Sequence, residues 1–138
     1  MIAKVMLVNA GYALSREFDY SIPKDMEEKA AVGMRVIVPF GVRNGAEEAI
    51  ITKIGDTSEY SRLKPIKRFM DESPVLTEEQ ISLCVWMQEH YLCTFAQAYK
   101  QVRPPRVAAK VHLWLTLIRD VGDGEKLTPN QTRLTDIL

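Results

Sequence analysis

Along the first half of the chain, apolar residues gather in short runs that alternate or nearly alternate with polar ones. The runs cover residues 2–8, 18–22, 34–38, 49–54 and 65–69, with Gly, Pro, Asn or Asp between most of them. This punctuation predicts short strands forming a small twisted sheet or partial barrel. Arg43-Asn44-Gly45-Ala46 predicts a hairpin turn, because Asn-Gly accepts the positive φ angles that tight hairpins require. Pro39 is expected to close its strand, since it has no N–H to give to a central ladder.

The periodicity changes at Thr77. Thr77-Glu78-Glu79-Gln80 has the form of a capping box, a threonine followed three positions on by a glutamine, and it predicts a helix start. Ile81, Cys84, Val85, Trp86 and Leu92 recur at spacings that place most of them on one helical face, expected to pack on the sheet. A second box, Thr94-Phe95-Ala96-Gln97, opens a shorter helix that must stop by Pro104-Pro105, because consecutive prolines cannot continue one. Beyond it, Val111, Leu113, Leu115 and Leu117 alternate with polar or bulky neighbours as in a strand, Asp120 to Gly124 reads as a loop, and Thr128-Pro129-Asn130-Gln131 is a third box. The predicted class is α+β: a sheet of about five strands, two short helices, and then the opening of something else. Residues 1–105 form one expected domain. A strand and part of a helix cannot bury their own apolar faces, so residues 106–138 are expected to be the start of a second domain that continues in a longer protein.

Composition narrows the function. The chain of 138 residues is 46% hydrophobic and 26% charged, with no apolar run of the roughly 18 residues that a membrane-spanning helix needs. The first residues, Met1 to Val8, lack the pattern of a secretory signal and read as a first strand. Two cysteines, Cys84 and Cys93, and two histidines are too few for a structural zinc site, and reduced, packed cysteines are expected. Lys plus Arg and Asp plus Glu each total 18, so no net field draws in nucleic acid. A local patch is compatible with that neutrality, and Arg62, Lys64, Lys67 and Arg68 crowd into seven positions. Such a cluster is also what a solvated face looks like.

Catalytic signatures are missing. No Gly-x-x-x-x-Gly-Lys-Ser/Thr loop occurs, and Gly122-Asp123-Gly124-Glu125-Lys126 lacks both the ending and the strand-to-helix context of one. No nucleophile elbow occurs, and His90 and His112 are far apart. The expectation is a non-enzymatic chain without cofactors of its own. Asp19 is more suggestive. It sits between Phe18 and Tyr20, where a two-residue period turns the carboxylate away from both rings. An aspartate there can simply cap a turn through its own backbone.

Phe18-Asp19-Tyr20-Ser21-Ile22-Pro23, Gly33-Met34-Arg35-Val36-Ile37-Val38-Pro39-Phe40-Gly41, Leu63-Lys64-Pro65-Ile66 and His90-Tyr91-Leu92-Cys93 occur in the order seen in one family. Together they resemble the amino-terminal domain of the bacterial primosomal replication-restart helicases. The resemblance covers most of residues 2–105 and continues more loosely into 106–138, where Leu127 to Gln131 is similar to a segment of the family's winged-helix domain. It implies a module that captures the 3′-OH end of a nascent leading strand at a stalled or branched fork, with Phe18, Asp19, Gly41 and Lys64 lining the pocket. Arg35, Arg43, Arg62 and Lys67 are then candidates for contacts to the DNA backbone. The hairpin arm carries Glu47, Glu48 and Ala49 where the family often has a basic residue and a glycine.

The resemblance further implies a cytoplasmic, nucleoid-associated bacterial protein. Its partners would be branched or single-stranded DNA with a free 3′ end, the remaining helicase domains, and other primosome and single-strand-binding proteins, with no membrane involved. ATP, Mg²⁺ and Zn²⁺ are expected only outside this chain, in a parent that resembles an ATP-dependent 3′-to-5′ DNA helicase. Two other readings stay open. One is a protein-interaction domain docking the helicase core or replisome components, with little DNA binding of its own. The other is a small enzyme using Asp19 as general acid or base, for which no titratable partner is nominated.

Overall fold

The computed structural model describes residues 1–104, so the strand and the third capping box expected within 106–138 lie outside the described residues. Five strands form one antiparallel sheet: β1 (Ile2–Leu7), β2 (Phe18–Ser21), β3 (Arg35–Phe40), β4 (Gly45–Gly55) and β5 (Arg68–Phe69). Two helices follow, α1 (Glu78–His90) and α2 (Phe95–Val102), which bears out the expected α+β class. Spatial order in the sheet is β2-β1-β4-β3-β5. The sheet is open, but Ser21 N donates to the Lys64 carbonyl and Ile66 N to the Ser21 carbonyl, both at 3.0 Å. The segment ahead of β5 thus returns to the free edge of β2, curling the sheet into a partial barrel.

Alternation decides what each face buries. Ala3, Val5 and Leu7 of β1, Val36 and Val38 of β3, and Ala49 and Ile51 of β4 point inward with Tyr20, Ile22 and Ile66. Met6 and Val8 with Ile50 point the other way, under Leu76, Ile81, Cys84, Phe95, Ala98 and Tyr99. β1 and β4 are therefore apolar on both faces, and only a covering helix layer makes that tolerable in water. Burial pushes the Cys84 thiol up to about 11, so it is a packing group.

Several elements differ from the sequence expectation for identifiable reasons. β4 starts at Gly45, earlier than expected, because half-buried Glu47 and Glu48 pair with Val38 and Ile37 despite their charge. Pro39 does not end β3. Arg35 and Ile37 give their carbonyls to Met70 N and Lys67 N, so odd-numbered residues of β3 face β5, and Pro39 lies past the end of that short strand, where no donor is required. The β3–β4 hairpin forms, though over four residues: Gly41 (φ 70) and Asn44 (φ 52) supply the positive angles, and Gly45 already belongs to β4. In α1, Ile81 and Cys84 are buried, whereas Trp86 is 46% exposed and Leu92, past the helix end, is 99% exposed. The stripe from Ile81 to Cys84 suffices because α2 covers the rest, burying Phe95, Ala96, Ala98 and Tyr99.

Both expected capping boxes close reciprocally. Gln80 N donates to Thr77 Oγ1 at 3.3 Å and Thr77 N to Gln80 Oε1 at 3.0 Å. The corresponding distances for Thr94 and Gln97 are 3.2 and 2.8 Å. A cap contributes about 1 kcal/mol, whereas a buried phenylalanine such as Phe95 contributes roughly 3–5 kcal/mol. An isolated helix as short as α2, with 8 residues, would not persist in water, so packing sets its position and the cap sets its first residue.

One glycine joins the two layers. Gly33 (φ +88) donates its N–H to Ile51 at 2.8 Å and accepts at its carbonyl from Val75 and Leu76 at 3.0 and 3.3 Å. A Cβ there would lie 1.9 Å from the Leu76 carbonyl oxygen. Gly33→Ala is expected to cost roughly 2–4 kcal/mol through backbone strain and this clash, read as a lowered urea midpoint. An unchanged midpoint would contradict that close approach.

Candidate functional site

β2 enters the sheet at its edge, pairing only with β1, and its register sets Asp19 opposite Lys4. The Lys4 ammonium lies 3.3 Å from Asp19 Oδ1, and Ser58 Oγ donates to Oδ2 at 2.5 Å. The Asp19 side chain keeps only 6% of its surface exposed, so this carboxylate is held in place from two sides. The two-residue period turns Phe18 the other way. Its ring meets Phe40 edge-on at 5.1 Å between centroids, and the Arg16 guanidinium stands 5.1 Å from the Phe18 centroid. Tyr20 donates its hydroxyl to the Pro39 carbonyl at 3.1 Å, tying β2 to β3 across the barrel interior.

Gly41 and Lys64 meet directly: Lys64 Nζ donates to the Gly41 carbonyl at 3.0 Å. Three residues on, Lys67 Nζ donates to the Asn44 carbonyl at 3.2 Å. The two lysines grip the first and last residues of the β3–β4 turn. Nothing lies within 4 Å of where a Gly41 Cβ would stand, so the glycine is needed for its φ, and the space beside it is open.

These pieces surround one cavity of about 560 Å³, walled by Phe18, Asp19, Tyr20, Phe40, Gly41, Tyr60, Arg62 and Lys64 among others. That size is within the roughly 300–1,000 Å³ of small-ligand sites. Phe18, Asp19, Gly41 and Lys64, expected together from the family resemblance, are thus brought together, and Arg62 joins them. Arg43 and Lys67 are exposed but line no part of this cavity.

Arg35 is elsewhere. It is 7% exposed, and its Nε and Nη2 donate to Asp71 Oδ2 and Oδ1 at 2.7 and 2.6 Å, with Nη1 at 3.4 Å from Glu48 Oε1. The bidentate Asp71 carboxylate holds its guanidinium more firmly protonated than usual. The guanidinium that the family likeness offers for a DNA backbone contact is thus engaged in an internal ion pair and lines no part of the cavity. Arg35 is a candidate only through the family likeness, and nothing near it in sequence announces Asp71, 36 residues away.

Sequence reasoning also missed the supports of the cavity. β4 carries an extra residue, Thr52, where its register against β1 shifts between Lys4 and Val5. Thr52 Oγ1 lies 2.8 Å from Glu17 Oε1 and 3.2 Å from the Lys4 carbonyl, and Lys53 Nζ lies 3.4 Å from the same Glu17 oxygen. Ser15, just upstream, exchanges hydrogen bonds with Gln88 of α1 and accepts from Phe95 N of α2 at 2.8 Å. The loop is thus anchored at Ser15 and Glu17, immediately before Phe18. A larger cavity of about 850 Å³ lies between this loop, β4 and α1, but its wall sets Glu17, Glu78 and Glu89 against Arg16 and Lys53. The Phe18–Lys64 cavity sets Arg16, Arg62 and Lys64 against Glu17 and Asp19 and suits an anion better. Among the described residues no cluster of three or more His, Cys, Asp or Glu is placed to hold a metal ion. None of the described helices is long and apolar enough to cross a membrane.

Comparison with known proteins gives a consistent result. The family model described as the 3′ DNA-binding domain (3′BD) of PriA matches residues 4–104. The chain is 32% identical over 123 residues to replication restart protein PriA of Bacillus subtilis, covering 88% of the chain and 14% of that protein. The corresponding protein of Rickettsia conorii is 31% identical over 109 residues, 79% of the chain and 16% of that protein. That of Chlamydia muridarum is 32% identical over 92 residues, 64% and 12%. The chain therefore spans only a small fraction of the length of these relatives.

Framework charge and site charge are separable by mutation. Arg35→Met should cost roughly 2–4 kcal/mol, because it leaves the Asp71 carboxylate unpaired. It should leave ligand binding at the Phe18–Lys64 cavity intact at temperatures where the variant is folded. Calorimetry combined with a binding titration checks both halves.

Proposed function

The chain belongs to the PriA 3′ DNA-binding domain family, and on that premise we propose that it captures the free 3′-OH end of a nascent leading strand at a branched or stalled replication fork. The observation that carries this reading is the convergence of Phe18, Asp19, Gly41 and Lys64 on one cavity. Each residue has a physical role to offer. Lys64 uses one ammonium donor on the Gly41 carbonyl, leaving two for a phosphate. Gly41 presents open space beside its backbone, where a sugar can approach. Phe18 supplies an apolar wall for a base, in exchange for its contact with Arg16.

Asp19 supplies the selection. Lys4 and Ser58 occupy one lone-pair direction on each carboxylate oxygen, and a carboxylate has about four, so acceptors remain for a 3′-OH or a base amino group. An internal nucleotide brings a further phosphate toward this fixed negative charge. A terminal nucleotide does not. End recognition then comes from exclusion as much as attraction.

Restart of replication, ATP-driven 3′-to-5′ unwinding, binding of ATP, Mg²⁺ and Zn²⁺, contacts with other primosome and single-strand-binding proteins, and a cytoplasmic, nucleoid-associated location are proposed for the longer protein of which this chain is the end-binding part. DNA-dependent ATP hydrolysis by that longer protein, absent from the 138-residue chain, is the expected sign. A docking role has one observation of its own: Leu83 and Trp86 of α1, and Tyr91 and Leu92 just past its end, are exposed apolar side chains. It coexists with end capture, since none of these four residues lines the Phe18–Lys64 cavity.

Fluorescence anisotropy at low salt, with matched single strands ending in 3′-OH or 3′-phosphate, tests the reading. The wild-type chain should prefer 3′-OH by about tenfold or more, the scale of a like-charge penalty. Asp19→Asn keeps the side-chain volume and an acceptor for Ser58, and should erase most of the preference. Equal binding of both ends by wild type, or no binding, would overturn end capture.

A further inference from the structure

Besides Phe18, Tyr20 and Phe40, the cavity has one more aromatic residue, which neither the motif pattern nor the proposed 3′-end contacts use. Tyr60 is 64% exposed, although its ring is large and partly apolar, and it lines the cavity together with Arg62 and Lys64. Its placement follows from a short relay. Tyr60 N donates to Ser58 Oγ at 3.1 Å, and Ser58 Oγ donates to Asp19 Oδ2 at 2.5 Å. The nearly buried carboxylate in the cavity wall thus also fixes the loop that carries the exposed Tyr60 ring. At the other end of this loop, Ser21 N holds the Lys64 carbonyl at 3.0 Å, so residues 58–64 are tied to β2 on both sides.

We propose that Tyr60 is a stacking platform for the penultimate base of a bound 3′ end, with Ser58 as its positioning residue. The inference rests on the reading of the cavity as a 3′-end site. Depth orders the two rings. Phe18 is half-buried against Phe40, suited to the terminal nucleotide, while Tyr60 is 64% exposed. A strand leaving the cavity passes Lys64 and then the rim, where Arg62 stands ready for the next phosphate and Tyr60 offers a flat π-face. Stacking on such a face is tolerant of sequence, because every base has one. The site then reads two nucleotides: the last for its free hydroxyl, the one before it only for the presence of a base.

The test uses the 138-residue chain and 5′-labelled single strands with 3′-OH or 3′-phosphate ends, each made with a normal or an abasic penultimate position. Tyr60→Ala should weaken binding of the normal strand by about tenfold, a typical loss for one stacked base, for both ends equally, so that the 3′-OH preference is preserved. Tyr60→Phe should bind like wild type. On the abasic strand wild type and Tyr60→Ala should converge, and Ser58→Ala should show a smaller loss of the same base-dependent kind. If wild type prefers 3′-OH but Tyr60→Ala binds the normal strand as tightly as wild type, the stacking role is wrong and end capture stands. A Tyr60→Ala loss that persists on the abasic strand also overturns it. If wild type shows no end preference at all, the reading of the cavity fails first and this inference with it.

Discussion

Two backbone hydrogen bonds organise this domain out of proportion to their number. Ser21 N to the Lys64 carbonyl and Ile66 N to the Ser21 carbonyl fasten the segment before β5 to the edge of β2. Without them β2 and β5 would be the two far edges of an open sheet, separated by β1, β4 and β3. With them the sheet curls, Ile66 enters the inner core beside Tyr20 and Ile22, and Lys64 reaches the turn at Gly41. Each bond has a net worth of about 1 kcal/mol. Their effect is topological, because they bring residues from three distant parts of the chain around one cavity.

The helical layer depends on the same economy of contacts. A sheet whose central strands are apolar on both faces needs a cover, and two helices of modest length supply it through Ile81, Cys84, Phe95, Ala98 and Tyr99. Ser15 carries this cover over to the cavity. By bonding Gln88 of α1 and the first backbone N–H of α2, it fixes the loop from which Arg16, Glu17 and Phe18 emerge. The packing of the helices is thereby coupled to the position of the site.

Much of this was legible from local pattern. All five strands and both helix starts follow from alternation, turn residues and Thr-x-x-Gln boxes, since each is determined within a few neighbouring residues. What local pattern could not show is pairing across the chain. Arg35 looks like any cation in a strand until Asp71 meets it, and the bond from Ser58 to Asp19 spans 39 residues with no signal at either end. Trp86 failed for a related reason: the buried stripe of α1 is narrow because α2 takes the adjoining surface, which no single-helix periodicity reveals; Leu92 lies past the end of α1 altogether. The cavity-lining set Phe18, Asp19, Gly41 and Lys64 came from a family likeness, and the fold explains why such distant motifs belong together.

The strap that shapes the cavity also closes off the sheet. β2 gives its outer edge to residues 64–66, β5 is two residues long, and β3 beyond β5 carries Pro39, which has no N–H to offer. Long unpaired edges invite another chain to add itself as a strand, and among the described residues this sheet presents none of useful length. A domain of a DNA-binding family would gain from that refusal. With its edges short or occupied among the described residues, the sheet offers a visiting molecule side chains in place of backbone, among them the Asp19 carboxylate and the Tyr60 ring on the wall of one pocket.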